Sequence, residues 1–278
     1  SHYRIIERMT SVRCAAVQMT SGLDVDANLR AVAGHINAAA AQGAQFIVLP
    51  ESFAAMGCKE VDRCALAEPD GDGPLQNFLA EQAACHTVWI VGGTIPIIGD
   101  DPARPSASSL VFAADGHRVA RYDKIHLFDV GIPGRDEHYS ESAHTKAGSS
   151  PLIVPTPWGG LCVAVCYDVR CPELFRSFSA SEMQLIALPA AFTATTGAAH
   201  WSILLRARAI ENQCFMVAAA QTGRHENGRQ TYGHSMLVSP WGKVIADAGT
   251  DTGVIVADLD LDAQADIRRQ FPVPKHHL

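Results

Sequence analysis

Short apolar runs alternate along the chain with amphipathic stretches, and this alternation predicts buried strands separated by helices. Val12–Met19 reads as the first strand. Asp24 or Asp26 can cap a helix on which Leu29, Val32, Ile36 and Ala40 share one face, closed by Gly43. Phe46–Pro50 is a continuous apolar strand that carries Glu51 at its carboxyl end. A second helix holds Leu75, Phe78, Leu79 and Ala83, and strands follow at Val88–Ile95 and Ser109–Phe112. After a turn at Asp115-Gly116, the strand His117–His126 leads out to Lys124. From Leu127 to about Gly148 no period is visible, so this segment is read as a long loop, of the kind that usually carries function or lacks order.

The stretch Gly159–Phe175 predicts a strand, a sharp turn and a helix. Leu161, Val163 and Val165 alternate with Cys162, Ala164 and Cys166, and Pro172 suits a first helical turn. Leu174, Phe175 and Phe178 give that helix its apolar side. Cys166 falls where the strand ends, beside the N–H groups of a turn and a helix start, a setting that favours a thiolate. The plainer alternative is a small buried side chain. Further on, Gln184–Phe192 reads as a strand and Gly197–Gln213 as a helix with Trp201, Leu204, Leu205 and Ile210 inward. Strands at Cys214–Ala220, His234–Ser239, Lys243–Ala246 and Gly253–Leu259 complete the pattern.

The two halves echo one another. RCAAVQ matches LCVAVC, FIVLPESFAAMG matches LIALPAAFTATTG, VWIVGG matches CFMVAA, and SLVFAADGHRVA matches SMLVSPWGKVIA, in the same order. Two copies of one unit, each with a sheet and covering helices, predict an α+β fold: a four-layer αββα sandwich with an internal pseudo-two-fold duplication. No linker-like stretch divides the halves, so residues 10–278 are read as one domain. Residues 1–9 are charged and without period and are read as an N-terminal arm or an expression remnant.

Composition narrows the function. With 278 residues, a net charge of −7 and no basic cluster, the chain offers nothing to nucleic acid or an anionic membrane. Its 8 cysteines include no CxxC pair and no Cys/His set at zinc spacing, so neither a disulfide framework nor a metal site is expected. Together with the lack of a recognisable signal peptide, this points to a reducing, cytoplasmic setting. No apolar run reaches the length of a membrane span.

Three predicted strands thus deliver a titratable group at their carboxyl ends: Glu51, Lys124 and Cys166. These are a carboxylate able to act as base, a cation able to stabilise an oxyanion, and a nucleophile. Singly, Glu51 reads first as a helix-start acid and Lys124 as a solvated lysine, ahead of any catalytic role. In combination, LPES at 49–52, YDKIHLFD at 122–129 and CYDVRCPELF at 166–175 resemble the three motifs of the nitrilase, or carbon–nitrogen hydrolase, superfamily. The resemblance extends over residues 12–270.

That resemblance implies the αββα sandwich, a Glu51–Lys124–Cys166 triad, an auxiliary Glu141, and assembly into homodimers or larger homo-oligomers. It implies oxyanion binding by the backbone N–H of Tyr167 and a thioester intermediate, without metal or organic cofactor. It also implies pocket positions for Thr196 and His200, although a histidine at such a helical position more often packs. Arg170 suits a substrate carboxylate, with a structural ion pair as the alternative. Glu211 is read as structural, paired with Arg206 or Arg208. Cys171 stands where relatives carry Phe, which alters packing beneath the turn and adds a second thiol. TGAAHWSILLRARAIENQ, AAAQTGRH and YGHSMLVSPWG resemble the branch that acts on deaminated glutathione. The implied activity is hydrolysis of a small carboxylate-bearing amide, releasing 2-oxoglutarate and Cys-Gly. ω-Amidase activity on 2-oxoglutaramate or succinamate, or a catalytically silent binding or scaffold role, are the alternatives.

Overall fold

A computed structural model describes residues 9–57, 64–134, 136–179 and 182–273. The proposed arm, apart from Met9, lies outside the described residues. The first half runs β1 (Ser11–Gln18), α1 (Val25–Ala41), β2 (Phe46–Val48), α2 (Pro74–His86), β3 (Trp89–Val91), β4 (Ile95–Ile97), β5 (Ser106–Phe112) and β6 (Arg118–Asp123). A hairpin of β7 (Asp129–Gly131) and β8 (His138–Ser140) follows. The second half runs β9 (Ile153–Thr156), β10 (Gly159–Val163), α3 (Pro172–Arg176), β11 (Leu185–Ala190), α4 (Ala194–Asn212) and β12 (Phe215–Ala220). It continues through β13 (Thr222–Arg224), β14 (Gln230–Tyr232), β15 (Met236–Val238), β16 (Val244–Asp247), β17 (Gly253–Asp260) and α5 (Leu261–Gln270).

One sheet is seven-stranded, ordered β17-β1-β2-β3-β5-β4 with β6 beside β5; the other is six-stranded, ordered β16-β15-β12-β11-β10-β9. Alternation along the first sheet explains the layering. Ala15, Val17, Ile47 and Ile90 pack outward on Val32 and Ile36 of α1 and Leu79 of α2. Cys14, Ala16, Phe46, Val48 and Val91 instead join the core shared with the second sheet, and Trp201 and Leu205 of α4 belong to that same core. Trp158, on the β9–β10 turn, packs edge-on against Phe46 and Trp89 of the first sheet. The result is the predicted αββα sandwich.

The internal duplication is visible in the strand registers. Phe46 pairs Trp89 as Leu185 pairs Phe215, and Val91 pairs Val111 as Val217 pairs Leu237. Val111 pairs Ala120 as Leu237 pairs Ala246, and an irregularity interrupts both ladders at the same place, between Val111 and Phe112 and between Leu237 and Val238.

Several boundaries differ from expectation. The segment read as a loop from 127 to 148 contains the β7–β8 hairpin and a 3-10 turn at Glu141–Ala143. Val88–Ile95 is broken by Gly92-Gly93, so that β4 returns antiparallel against β5. α4 begins at Ala194, where the Thr193 hydroxyl accepts from the Thr196 N–H, and its Ile210 is exposed rather than inward. The helix after Cys166 is a 3-10 turn over Cys166–Arg170 followed by the short α3, which excludes Phe178. β9 and the β13–β14 hairpin are too short to show a period, and α5, though amphipathic, is mostly polar, so none of the three is read from the sequence. Among the described residues, no helix is long and apolar enough to cross a membrane.

Candidate active site

Glu51, Lys124, Glu141 and Cys166 come from four segments distant in sequence and line one cavity of about 310 Å³. The Lys124 Nζ lies 2.8 Å from Glu51 Oε1 and 2.8 Å from Glu141 Oε2, so one ammonium bridges two carboxylates. Lys124 is the most deeply buried of the four, and its backbone is held by Ala107 O and Gly148 N. Glu51 follows β2 by three residues. Its carbonyl accepts from Gln221 Nε2 at 3.0 Å, and the next residue, Ser52, donates to Thr94 Oγ1 from a left-handed backbone (φ 56°). Glu141 opens the 3-10 turn and accepts the Phe128 N–H at 2.7 Å.

Cys166 sits at the β10 exit with φ 48°, a conformation that non-glycine residues rarely adopt. Its thiol lines the same cavity as Glu51 and Ala191, and the Glu51 charge bears on it. Asp168, fully buried two residues later, locks the turn: it accepts from Val165 N at 2.9 Å, Tyr122 Oη at 2.7 Å and His126 N at 2.9 Å. Tyr122 and His126 flank Lys124 in the chain, so this carboxylate ties the nucleophile's turn to the strand carrying the cation. Sequence reading missed Asp168; its position in CYD, where a 3-10 turn exposes N–H donors, was the available signal.

Electrostatics set the resting protonation. Burial pushes the Glu51 carboxyl up, but Lys124 more than offsets this and holds it below its ordinary value. Burial would lower Lys124, but Glu141 and Glu51 hold it above its ordinary value. Burial and the Glu51 carboxylate push the Cys166 thiol well up against a weaker opposing pull from Lys124. The thiol is thus held toward its neutral form beside a carboxylate held toward its ionised form. Burial and the Glu51 charge act against the thiolate that the turn by itself favours.

The remaining candidates are only partly brought together. Tyr167, Arg170 and Thr196 line the cavity. His200 does not: it is exposed, with its Nδ1 3.2 Å from Arg170 Nη1. Arg170 lies over the rings of Phe192 and Tyr167 rather than in the alternative ion pair. Glu211 pairs with Arg208 at 3.0 Å, while Arg206 turns to the Gly242 carbonyl. Cys171 is half-buried at the start of α3 and does not line the cavity. His138, Tyr139 and Arg229 do line it, none of them singled out from sequence. Among the described residues, no cluster of His, Cys, Asp and Glu is arranged to hold a metal ion.

A duplicated αββα sandwich with a buried Cys, Glu and Lys at one cavity defines a class, and the chain belongs to it: the carbon–nitrogen hydrolase family, whose model matches residues 13–269. It is a hydrolase of carbon–nitrogen bonds. The chain is 40% identical to deaminated glutathione amidase of Yersinia enterocolitica, covering 97% of this chain and 94% of that protein. It is 36% identical to human omega-amidase NIT2, covering 95% and 94%. The crystal structure of Saccharomyces cerevisiae Nit3, a member of branch 10 of the nitrilase superfamily, superposes with a TM-score of 0.87 at 29% identity over 99% of both chains.

Proposed function

We propose that the protein is a cysteine-dependent amidase acting on a small carboxylate-bearing amide, deaminated glutathione foremost. The observation that carries this reading is the Glu51–Lys124–Glu141 hydrogen-bonded series lining one cavity with Cys166. Glu51 takes the Cys166 proton as the sulfur adds to the amide carbonyl. The developing oxyanion is stabilised by Lys124 and the Tyr167 backbone N–H; one such donor contributes about 3–4 kcal/mol. Protonated Glu51 then gives its proton to the departing amine, leaving a thioester on Cys166. The same carboxylate draws a proton from water, which attacks the thioester and releases the acid and the free thiol. Glu141 holds the ammonium in place through this cycle, and the chemistry calls on no metal or organic cofactor. Arg170 receives the carboxylate of the acyl portion, with Thr196 beside it; His200 acts only through Arg170.

An ω-amidase acting on 2-oxoglutaramate is the second reading, favoured by the human relative of that name. The two differ in leaving group, Cys-Gly or ammonia, and share every step above. Turnover of both compounds by wild type and Cys166→Ala decides between them. Preference for the tripeptide analogue, abolished in Cys166→Ala, supports the main reading; preference for 2-oxoglutaramate supports the second. Full turnover by Cys166→Ala sinks the mechanism.

The same reading includes a cytoplasmic setting and a homodimer or larger homo-oligomer. Ile203 and Ile210 are exposed seven residues apart on α4, Gly242 packs on Ile210, and exposed Trp241 packs edge-on against exposed Phe271. This is the apolar surface that pairing would cover. Light scattering on the Ile210→Glu variant tests it, with a fall to monomer mass expected.

A further inference from the structure

Around the cavity, one series of contacts forms a closed wall. Arg170 lies 5.5 Å from the Tyr167 ring, Tyr167 packs on Phe128 at 5.6 Å, and Phe128 packs on Tyr139 at 4.8 Å. Arg229 lies 5.2 Å from the Tyr139 ring and donates from Nη2 to Ala191 O at 2.7 Å. The next residue, Phe192, closes the series by packing against Arg170 at 5.0 Å. Two guanidinium groups thus occupy separate points of the wall. An aromatic arc divides them on one side and the Ala191-Phe192 segment on the other, and Cys166 lines the same cavity as that segment.

Arg229 has spare capacity. Its Nε is buried and without a partner, and neither arginine forms an ion pair with a carboxylate among the described residues. Its backbone is fixed by Asn227 Oδ1, which accepts the Arg229 N–H at 3.0 Å. A buried guanidinium N–H left unmade is costly, and the planar fork is matched to a carboxylate. The turn that carries Arg229 packs on the segment that follows Glu51, with Asn227 against Gly57, and the Arg229 charge also bears on Glu51, the group proposed to protonate the departing amine. We take this side of the cavity as the leaving-group side.

We propose that Arg229 is a specificity-determining residue that binds a carboxylate on the leaving-group portion of the substrate, opposite the acyl carboxylate at Arg170. The enzyme then selects amides bearing an anionic group on both sides of the scissile bond. Deaminated glutathione is such a compound, since its terminal glycine carboxylate leaves with Cys-Gly. 2-Oxoglutaramate has nothing for Arg229 to hold. The inference rests on the amidase reading above and deepens it.

The test is a binding cycle on the full-length Cys166→Ala protein by titration calorimetry. Deaminated glutathione and its C-terminal carboxamide are compared, with Arg229 present and with Arg229→Gln. With Arg229, the carboxylate form binds about tenfold tighter or more, as one charge-assisted pair warrants. In Arg229→Gln the two ligands bind within about twofold, and Arg229→Lys falls between. A carboxylate preference that survives Arg229→Gln, no preference with Arg229 present, or no binding of either ligand at millimolar concentration overturns the proposal. Turnover by the unmutated enzyme separates the two claims. A preserved binding preference without hydrolysis removes the amidase reading alone, and hydrolysis without the preference removes Arg229 alone.

Discussion

The Tyr122 hydroxyl donates to the Asp168 carboxylate at 2.7 Å, joining the strand that presents Lys124 to the turn that presents Cys166. Burial and Asp168 together push the Tyr122 hydroxyl well above its ordinary value, so it remains a donor at every working pH. The distance between cation and nucleophile is thus held by a third residue that touches neither reacting atom.

Replacing Asp168 by Ala strands the Tyr122 hydroxyl and the Val165 and His126 N–H groups. Unfolding in urea is expected to show a loss of about 3–5 kcal/mol, the range for breaking a buried charged network. Asp168→Asn keeps the volume and two acceptor sites and is expected to lose less stability. His126, whose bond to Asp168 raises its pKa, adds stability that is present below its unfolded value of 6.5 and lost as pH rises through the raised value. Asp168→Asn should abolish that pH dependence.

Lys124→Met leaves Glu51 and Glu141 facing each other without a cation. A loss of about 3–5 kcal/mol is expected at neutral pH. In the wild type, Glu51 is depressed, so its contribution is present above 4.5 and lost as pH falls through its lower folded value. Lys124 is raised, so its contribution is present below 10.5 and lost as pH rises through its higher folded value. Both operate between these limits. In Lys124→Met burial drives the Glu51 carboxyl up instead, so the stability gap to wild type should narrow on acidification.

The neutral thiol makes a kinetic prediction. Alkylation of Cys166 by iodoacetamide, followed by peptide mass spectrometry, should still be rising with pH above 9, the ordinary thiol value. A plateau reached by pH 7 would show a resting thiolate. Because Glu51 raises the thiol, Glu51→Gln should alkylate faster than wild type at pH 8 while losing amide turnover by about 100- to 10,000-fold.

Gly93 supports Glu51 from behind. At φ 43° it approaches so closely that an added Cβ would lie 2.1 Å from the Pro50 carbonyl oxygen. Gly93→Ala must displace the residue preceding Glu51, and is expected to cost about 1–3 kcal/mol with a fall in kcat. Unchanged kcat would mean that the Pro50–Glu51 backbone tolerates the shift.

Sequence alone determined what local pattern encodes. Apolar alternation placed β1, β11 and β12 to within about two residues, because a strand buried in a sandwich must be apolar whatever surrounds it. The repeated segments foretold two matching sheets, and the three motifs named Glu51, Lys124 and Cys166 together. Weakly apolar pieces stayed hidden: the β7–β8 hairpin is mostly exposed and draws its order from the cavity it walls. Only the tertiary structure decided the chemistry of the site. The protonation of Cys166 depends on the Glu51 charge, and the orientation of Lys124 on Glu141 and Asp168. The place of Arg229 follows from a turn whose sequence is polar and unpatterned. Fields and hydrogen bonds act through space, between residues as far apart in the chain as Glu51 and Cys166, and no local period can register them.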